Sequence, residues 1–378
     1  MTGEVPTFTS PGFDRERVIS VLERNDLDAI LLTSPENIQY TTGYPALPSA
    51  GNPILHTLWN QYPCAVLVDR EGKLTLACWL VSTLNVAFGA DEVASYLDHG
   101  GALDTFGRLL APVAAAGGRL GVESTFPLFA SRIFADAGGR LGQLVVVDED
   151  ILAMRLTKTP AEQELLERSI AIVEKTVGEL YGVLEVGMSR LDLVSEAKYR
   201  MLRNGATGIS HVTVSFGTAN PEVAIGEILE EGKLVTLDLG ACVEGYCSDN
   251  RRYAFFGEVP GELKRTQAMM VDVVDSVGAA LVPGAREADV FARGVQLFQD
   301  AGLDPFFFHV GHHIGLQTEE SWLTGSSSRT VEDGMVVNVE LYTPVEGVDF
   351  VGDEETFVVG PQGPRRISQL DRAIAVLS

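Results

Sequence analysis

The chain has 378 residues, 46% of them hydrophobic and 21% charged, a composition typical of a globular protein with two domains. Lysines and arginines number 28 against 52 aspartates and glutamates, so the net charge is −24 at pH 7. Such a charge repels phosphate backbones and anionic lipid, which argues against nucleic-acid and membrane-surface binding. We find no apolar run long enough to span a membrane and no secretory signal pattern, so we expect a cytoplasmic protein.

Residues 13–150 alternate helical and strand-like patterns. Residues 13–25 are amphipathic, and short apolar segments predict strands at 29–33, 65–68, 73–77 and 145–147. This alternation predicts a mixed α/β domain over residues 1–155.

The character of the sequence changes near residue 155. Thr159, Pro160 and Glu162 form a capping box with proline at the first helical position, which predicts a helix from 160 to about 184. We therefore interpret residues 151–158 as a linker and residues 156–378 as a second domain.

The second domain contains a faint internal repeat at an offset of 97 residues. The matching residues are Gly187, Asp192, Leu193 and Gly205 in the first copy and Gly284, Asp289, Val290 and Gly302 in the second. Each set spans a turn, an amphipathic helix and its glycine stop. The repeat predicts a duplicated α+β domain, with helices on one face of an antiparallel sheet and a cleft between the halves.

Two aspartates interrupt or follow a buried strand pattern at residues 234–249. Asp238 lies within the strand, and the glycine turn at Gly245 can bring Asp249 back opposite it. Facing carboxylates repel unless a cation lies between them. The alternative is one turn aspartate and one aspartate paired with Arg251 or Arg252.

Further candidate ligands lie in the last seventy residues. Three of the six histidines, His309, His312 and His313, fall within five residues, and metal binding, acid–base chemistry and a core network all remain open for them. Glu340 lies in a predicted strand, and Glu354 follows 14 residues later in another. Carboxylates combined with an imidazole suit two divalent ions such as Mn²⁺, Co²⁺ or Zn²⁺, which activate water near neutral pH.

Taken together, these segments resemble the pita-bread metallopeptidases, which include prolidase, aminopeptidase P and methionine aminopeptidase, with creatinase as a relative. The motifs are Asp-Leu-Gly from 238, Gly-Tyr-Cys-Ser-Asp ending at 249, Gly-His-His-Ile-Gly from 311, Val-Glu ending at 340 and Glu-Glu-Thr from 354. Residues 27–44 resemble the prolidase and creatinase N-terminal domain. The resemblance implies an α/β N-terminal domain of that type and a duplicated α+β pita-bread catalytic domain.

The resemblance also implies roles for five residues. Asp238 binds one metal, Asp249 and Glu354 bridge two metals, and His312 and Glu340 complete the second site. Glu340 can also take the proton of the attacking water, which makes Glu340 and His312 the catalytic candidates. Family members usually hydrolyse a bond to proline and are commonly homodimers, in which the N-terminal domain of one subunit lines the site of the other.

The chain departs from the family pattern around the expected substrate. Glu319 and Glu222 stand where the family has histidines, Gly352 where it often has arginine, and His313 where it has glycine. We expect a rebuilt pocket in which His309, His313, Glu222 and Glu319 contact the substrate and a cation or neutral group is favoured. Solvated loop positions for the glutamates and core packing for the two histidines are the alternatives.

Three functions remain open at this stage. The first is a dinuclear metal-dependent peptidase acting at a bond to proline, with an altered substrate-end preference such as proline-specific carboxypeptidase cleavage. The second is hydrolysis of a non-peptide C–N bond in a small solute, as in creatinase-like and ectoine-hydrolase-like relatives. The third is a non-catalytic binding protein on the same fold, which retention of all five ligands makes the weakest.

Overall fold

The computed structural model describes residues 5–50, 53–217, 226–303 and 307–378. The chain divides into two compact units, Met1–Arg155 and Leu156–Ser378. The division lies within residues 151–158, where the sequence predicted a linker and domain boundary, but the helix Asp148–Leu156 occupies most of this segment in place of an irregular linker. Acidic residues in its first turn and Arg155 in its last turn complement the helix dipole and favour this helix.

The first unit contains strands and helices in alternation. Its strands are β1 (Thr7–Phe8), β2 (Ala29–Leu32), β3 (Ala65–Asp69), β4 (Leu74–Trp79), β5 (Ala87–Phe88), β6 (Glu92–Tyr96), β7 (Leu120–Val122) and β8 (Leu144–Val146). Its helices are α1 (Arg15–Arg24), α2 (Pro35–Thr42), α3 (Ile54–Thr57), α4 (His99–Ala115), α5 (Leu128–Asp136) and α6 (Asp148–Leu156). Three short 3-10 helices lie at Pro48–Ala50, Leu80–Thr83 and Leu141–Gln143.

Six of these strands form one mixed sheet in the order β6-β4-β3-β2-β7-β8. β3 runs antiparallel to β2 and β4, and the outer pairs are parallel. Leu31 of β2 packs with Phe106 of α4 and Phe134 of α5 in a buried apolar cluster. The α/β prediction for this part of the chain is confirmed, because apolar strands are covered by amphipathic helices.

The second unit contains longer elements. Its helices are α7 (Pro160–Tyr181), α8 (Arg190–Arg203), α9 (Gly261–Gly278) and α10 (Glu287–Asp300). Its strands are β9 (Gly208–Ser215), β10 (Leu234–Val243), β11 (Tyr246–Cys247), β12 (Asn250–Phe256), β13 (His309–His313), β14 (Ser321–Thr324), β15 (Val336–Val345), β16 (Asp349–Gly360), β17 (Gly363–Arg366) and β18 (Ala375–Leu377). The predicted capping box at Thr159 and Glu162 starts α7.

The second unit is duplicated, as the repeat predicted. Gly187 and Gly284, one in each copy, both have left-handed φ angles, 98° and 92°. Two residues after each, a single β-bridge ties the chain to a later segment, Ser189 to Ile228 and Arg286 to Thr330. Each copy then adds a second helix and contributes one sheet, with the orders β11-β10-β12-β18 and β14-β13-β15-β16-β17, and β9 also pairs with β10.

Helices cover the sheets of this unit and leave the remaining sheet surface to the polar residues described below. Val177 of α7 and Leu193 of α8 pack against Val235 and Leu237 of β10. Within the described ranges, no helix is both long and apolar enough to cross a membrane.

Candidate metal centre

Asp238 lies in the middle of β10, a strand whose ten residues are all buried. Antiparallel pairing with β12 places Arg251 directly opposite Asp238, and pairing with β9 places His211 opposite Gly240. A side chain at Gly240 would put its Cβ 2.4 Å from Nδ1 of His211, so the glycine of the Asp-Leu-Gly motif makes room for that imidazole.

The other predicted ligands come from three neighbouring strands of the second sheet. His312 on β13 pairs with Asn338 on β15, and Glu340 on β15 pairs with Glu354 on β16. Gly311 precedes His312 with a φ of 145°, and a Cβ there would lie 2.1 Å from the carbonyl oxygen of Asn338. The close approach of β13 to β15 that sets the position of His312 therefore requires glycine.

Asp249 is the carboxylate that joins the two halves of the centre. Its Oδ1 lies 3.1 Å from Nε2 of His211, and its Oδ2 lies 3.5 Å from Nε2 of His312. Nε2 of His312 is also 3.9 Å from Oε1 of Glu340. The structure thus brings together all five residues predicted as ligands, Asp238, Asp249, His312, Glu340 and Glu354.

His211 is a member of this cluster that the sequence reasoning missed. Its Nε2 lies 3.0 Å from Oδ1 of Asp238, and the ligand atoms of His211, Asp238 and Asp249 are close enough to hold an ion. The available signal was its place in residues 208–215, which alternate as a strand before the Asp238 segment.

Three other side chains hold the carboxylates in place. Arg251 donates to Oδ2 of Asp238 from Nε at 3.1 Å and from Nη2 at 2.5 Å. The hydroxyl of Tyr342 lies 2.8 Å from an oxygen of Glu340 and from an oxygen of Glu354. Nδ2 of Asn338 donates to Oε1 of Glu354 at 2.8 Å.

The crowding of charge in a buried place shifts the pKa values of these groups in opposite directions. Burial raises the pKa of Glu354, and the charges of Asp249 and Asp238 raise it further, well above its ordinary value. Burial also raises the pKa of Asp249, but His211 and His312 outweigh it and hold this pKa well below the ordinary range. Burial lowers the pKa of His211, whereas Asp249 and Asp238 raise it to well above the ordinary value.

The donor set fits a divalent metal ion. Nε2 of His312 is buried and has no hydrogen-bond partner in the described part of the chain, although carboxylate oxygens of Asp249 and Glu340 lie within 4 Å of it. An imidazole nitrogen aimed at carboxylate oxygens is the arrangement that Zn²⁺, Mn²⁺ or Co²⁺ uses. The residues that would hold such an ion are therefore present and preorganised.

The two other histidines of the cluster lie on different sides of β13. Nδ1 of His309 is 3.9 Å from Oε1 of Glu340, and its ring lies 4.2 Å from that of Trp322. Burial and the neighbouring His312 lower the pKa of His309 to about 4, so this ring is neutral at pH 7. His309 thus lies next to Glu340, one of the predicted ligands.

His313 points away from the metal ligands. Its ring is fully buried, and its Nε2 lies 2.7 Å from Oε1 of Glu287. Ser327 donates to the other oxygen of Glu287, so that carboxylate has a partner on each oxygen. This environment favours the alternative of core packing over the predicted substrate contact, because alternation along a strand turns adjacent side chains to opposite faces.

The structure describes only one of the two glutamates that stand in place of family histidines. Glu319 is exposed, as its solvated-loop alternative expected, whereas the next residue, Glu320, is buried in an ion pair with Lys158 at 2.7 Å. Glu222 lies outside the described residues.

Comparisons with known proteins agree with this architecture. The family model for metallopeptidase family M24 matches residues 164–361, and that for the creatinase/prolidase N-terminal domain matches residues 15–157. The chain is 28% identical to the uncharacterized peptidase YqhT of Bacillus subtilis, covering 96% of this chain and 99% of that protein. It is 25% identical to the Xaa-Pro dipeptidase of Pyrococcus horikoshii, covering 95% and 97%.

The fold is also that of solved structures. A dipeptidase from Pyrococcus horikoshii OT3 superposes with a TM-score of 0.82 at 22% identity, over 96% of this chain and 99% of that one. Both family models and the two sheets of the duplicated second unit support the same family assignment. The chain belongs to metallopeptidase family M24, as a peptidase of its pita-bread prolidase branch.

Proposed function

We propose that this protein is a metal-dependent peptidase that hydrolyses a bond to proline. The observation that carries the proposal is the buried Nε2 of His312, which has no hydrogen-bond partner among the described residues and lies 3.5 Å from Oδ2 of Asp249 and 3.9 Å from Oε1 of Glu340. Asp238 and Glu354 belong to the same cluster through Arg251. Named relatives such as the Xaa-Pro dipeptidase of Pyrococcus horikoshii support the choice of bond. Mn²⁺, Co²⁺ and Zn²⁺ are the candidate ions, because carboxylates mixed with imidazole suit them.

Glu340 is proposed to accept the proton of the attacking water. A bound divalent ion supplies Lewis acidity, which polarises the scissile carbonyl and lowers the pKa of water toward neutrality. Burial raises the pKa of Glu340, with His312 opposing it, so this carboxylate is a better proton acceptor near neutral pH than an exposed glutamate. Its Oε2 is oriented by the hydroxyl of Tyr342 at 2.8 Å, which leaves Oε1 facing His312 and His309.

The substrate end that is recognised is proposed to differ from that of an ordinary Xaa-Pro dipeptidase, and a proline-specific carboxypeptidase preference is one such change. Gly352 has no side chain with which to grip a substrate carboxylate, and Glu319 adds a negative charge. The neutral His309 ring beside Trp322 offers a flat apolar surface next to Glu340, suited to a proline ring. The protein is further proposed to be a cytoplasmic homodimer, which light scattering during gel filtration tests.

The test is product analysis by mass spectrometry with a proline-containing tripeptide in free, N-blocked and C-amidated forms. The metal-loaded protein should cleave at least the free form, and the blocked form that survives should identify the terminus that is read. Glu340→Gln should lose turnover and bind metal more weakly, whereas Arg286→Ala, an exposed position, should match the wild type in both. Inert peptides combined with turnover of a small amide solute would instead favour the creatinase-like alternative, which the altered pocket residues motivate.

A further inference from the structure

The carboxylates on one side of the centre already have partners from the chain itself. Oδ1 of Asp238 lies 3.0 Å from Nε2 of His211, and Oδ2 accepts two hydrogen bonds from Arg251. Oε1 of Glu354 accepts from Asn338, and Oε2 lies 2.8 Å from the Tyr342 hydroxyl and 3.9 Å from Nε of Arg251. A metal ion between Asp238 and Glu354 would have to displace the guanidinium of Arg251, and an ion held by His211, Asp238 and Asp249 would lie beside that guanidinium.

Arg251 is held firmly in this position. Its guanidinium carbon lies 3.9 Å from the centre of the Tyr342 ring, and antiparallel pairing places it opposite Asp238. The ring of Tyr342 in turn fills the space above Gly352, where a Cβ would lie 2.2 Å from Cδ1 of that ring. An arginine cannot lose its charge in a protein, so a permanent cation lies between the two carboxylates.

The other side of the centre is open. Nε2 of His312 has no hydrogen-bond partner among the described residues, and it lies 3.5 Å from Oδ2 of Asp249 and 3.9 Å from Oε1 of Glu340. Ligand atoms lie about 2.0–2.2 Å from a transition-metal ion. Both separations are below twice that distance, so an ion bound to Nε2 of His312 can also contact either of these carboxylate oxygens.

The balance of charge in the centre also favours one ion near His312 with Arg251 beside Asp238. Asp238, Asp249, Glu340 and Glu354 supply four carboxylates, which one divalent ion and one guanidinium largely balance. A second divalent ion beside Asp238 would lie a few ångströms from the guanidinium, and two cations at such distances repel strongly in a buried place.

We infer that this centre holds one divalent ion, bound by His312, Asp249 and Glu340, and that the guanidinium of Arg251 takes the place of a second ion beside Asp238 and Glu354. The inference rests on the proposed metal dependence and replaces the expectation of two ions drawn from the resemblance. It also assigns Arg251 as a positioning residue that fixes both carboxylates without a metal.

The test is to count bound ions by equilibrium dialysis against Mn²⁺, at an ionic strength that suppresses weak binding to surface carboxylates. The wild type should bind one Mn²⁺ per chain and give the electron paramagnetic resonance spectrum of an isolated ion. Arg251→Ala should bind two and give the spectrum of an exchange-coupled pair. Arg251→Lys keeps the cation and should stay at one, as should the exposed control Arg286→Ala.

Two coupled Mn²⁺ ions in the wild type would overturn the inference, and that measurement does not depend on any variant folding. A folded Arg251→Ala that still binds one ion would overturn the role of Arg251. The inference can therefore fail without the proposed function failing. Two bound ions together with cleavage of Xaa-Pro peptides would refute only the inference. One ion with every peptide inert would support the inference and refute the function, and no bound ion at all would refute both.

Discussion

Alanine at position 352 should destabilise the second unit and weaken its metal binding. A Cβ added to Gly352 would lie 2.1 Å from the carbonyl oxygen of Leu341 and 2.2 Å from Cδ1 of Tyr342. Both distances are far below van der Waals contact, and the carbonyl belongs to the neighbouring strand, so β15 or β16 must shift. Overpacking of this kind costs about 1–3 kcal/mol of unfolding free energy.

The size of the effect is measurable by urea and thermal unfolding. For a unit of this length, each kcal/mol lowers the melting temperature by roughly 2–4 °C, so several degrees are expected. Tyr342 contacts Arg251, Glu340 and Glu354, and its displacement should therefore also lower Mn²⁺ affinity.

Gly360 provides a matched control in the same strand. The nearest atom to a Cβ at Gly360 is 3.4 Å away, an ordinary contact, so Gly360→Ala should unfold close to the wild type. The reasoning would be refuted if Gly352→Ala and Gly360→Ala had the same stability and the same metal affinity.

Three further predictions concern the polar interior. Tyr342→Phe should lower Mn²⁺ affinity by about 10- to 100-fold in calorimetric titration, because it removes the hydroxyl that orients Glu340, and unchanged affinity would contradict this. Mn²⁺ affinity should rise with pH and binding should release protons, because burial raises the pKa of Glu340, a ligand of the inferred ion, and only the ionised carboxylate binds metal; titrations in buffers of different ionisation enthalpy would expose a pH-independent affinity. Lys158→Met should lower the free energy of unfolding in urea by about 3–5 kcal/mol, because it leaves the buried carboxylate of Glu320 without its ammonium partner. Lys73→Met, at an exposed ion pair, should leave that free energy unchanged, and equal effects of the two variants would contradict the argument from burial.

Most of the fold could be predicted because local sequence signals, such as helix caps and turn glycines, agree with the arrangement of the whole domain. The capping box at Thr159 starts α7 where it was expected, and the glycine repeat marks equivalent turns in both copies of the second unit. The segment at residues 151–158 was misjudged because its helix is short and weakly amphipathic, so no periodicity distinguished it from a linker.

The candidate site could be predicted only in part. Carboxylates that interrupt apolar strands are conspicuous, because burying a charge requires compensation, and this signal singled out Asp238. Regular alternation would put His309 and His313 on the same face of β13, but the pairing register shifts between His309 and His312, and the sequence did not reveal this irregularity.

The sequence also did not establish which residues lie opposite each other on neighbouring strands. Arg251, rather than Asp249, lies directly opposite Asp238, and His211 enters from β9 through a pairing that no local pattern encodes. Only the register of three strands reveals that two nitrogen-bearing side chains lie among the carboxylates.

The most direct test of the account is the rate at which the free proline-containing tripeptide is cleaved before chelation, after chelation and after Mn²⁺ is restored. We expect chelation to abolish hydrolysis and Mn²⁺ to restore it in the wild type, while His312→Ala, which lacks the unpartnered imidazole, is not restored at the same Mn²⁺ concentration. Hydrolysis that persists in metal-free protein, or a restored His312→Ala, would contradict the central claim that these residues form the metal centre of a peptidase.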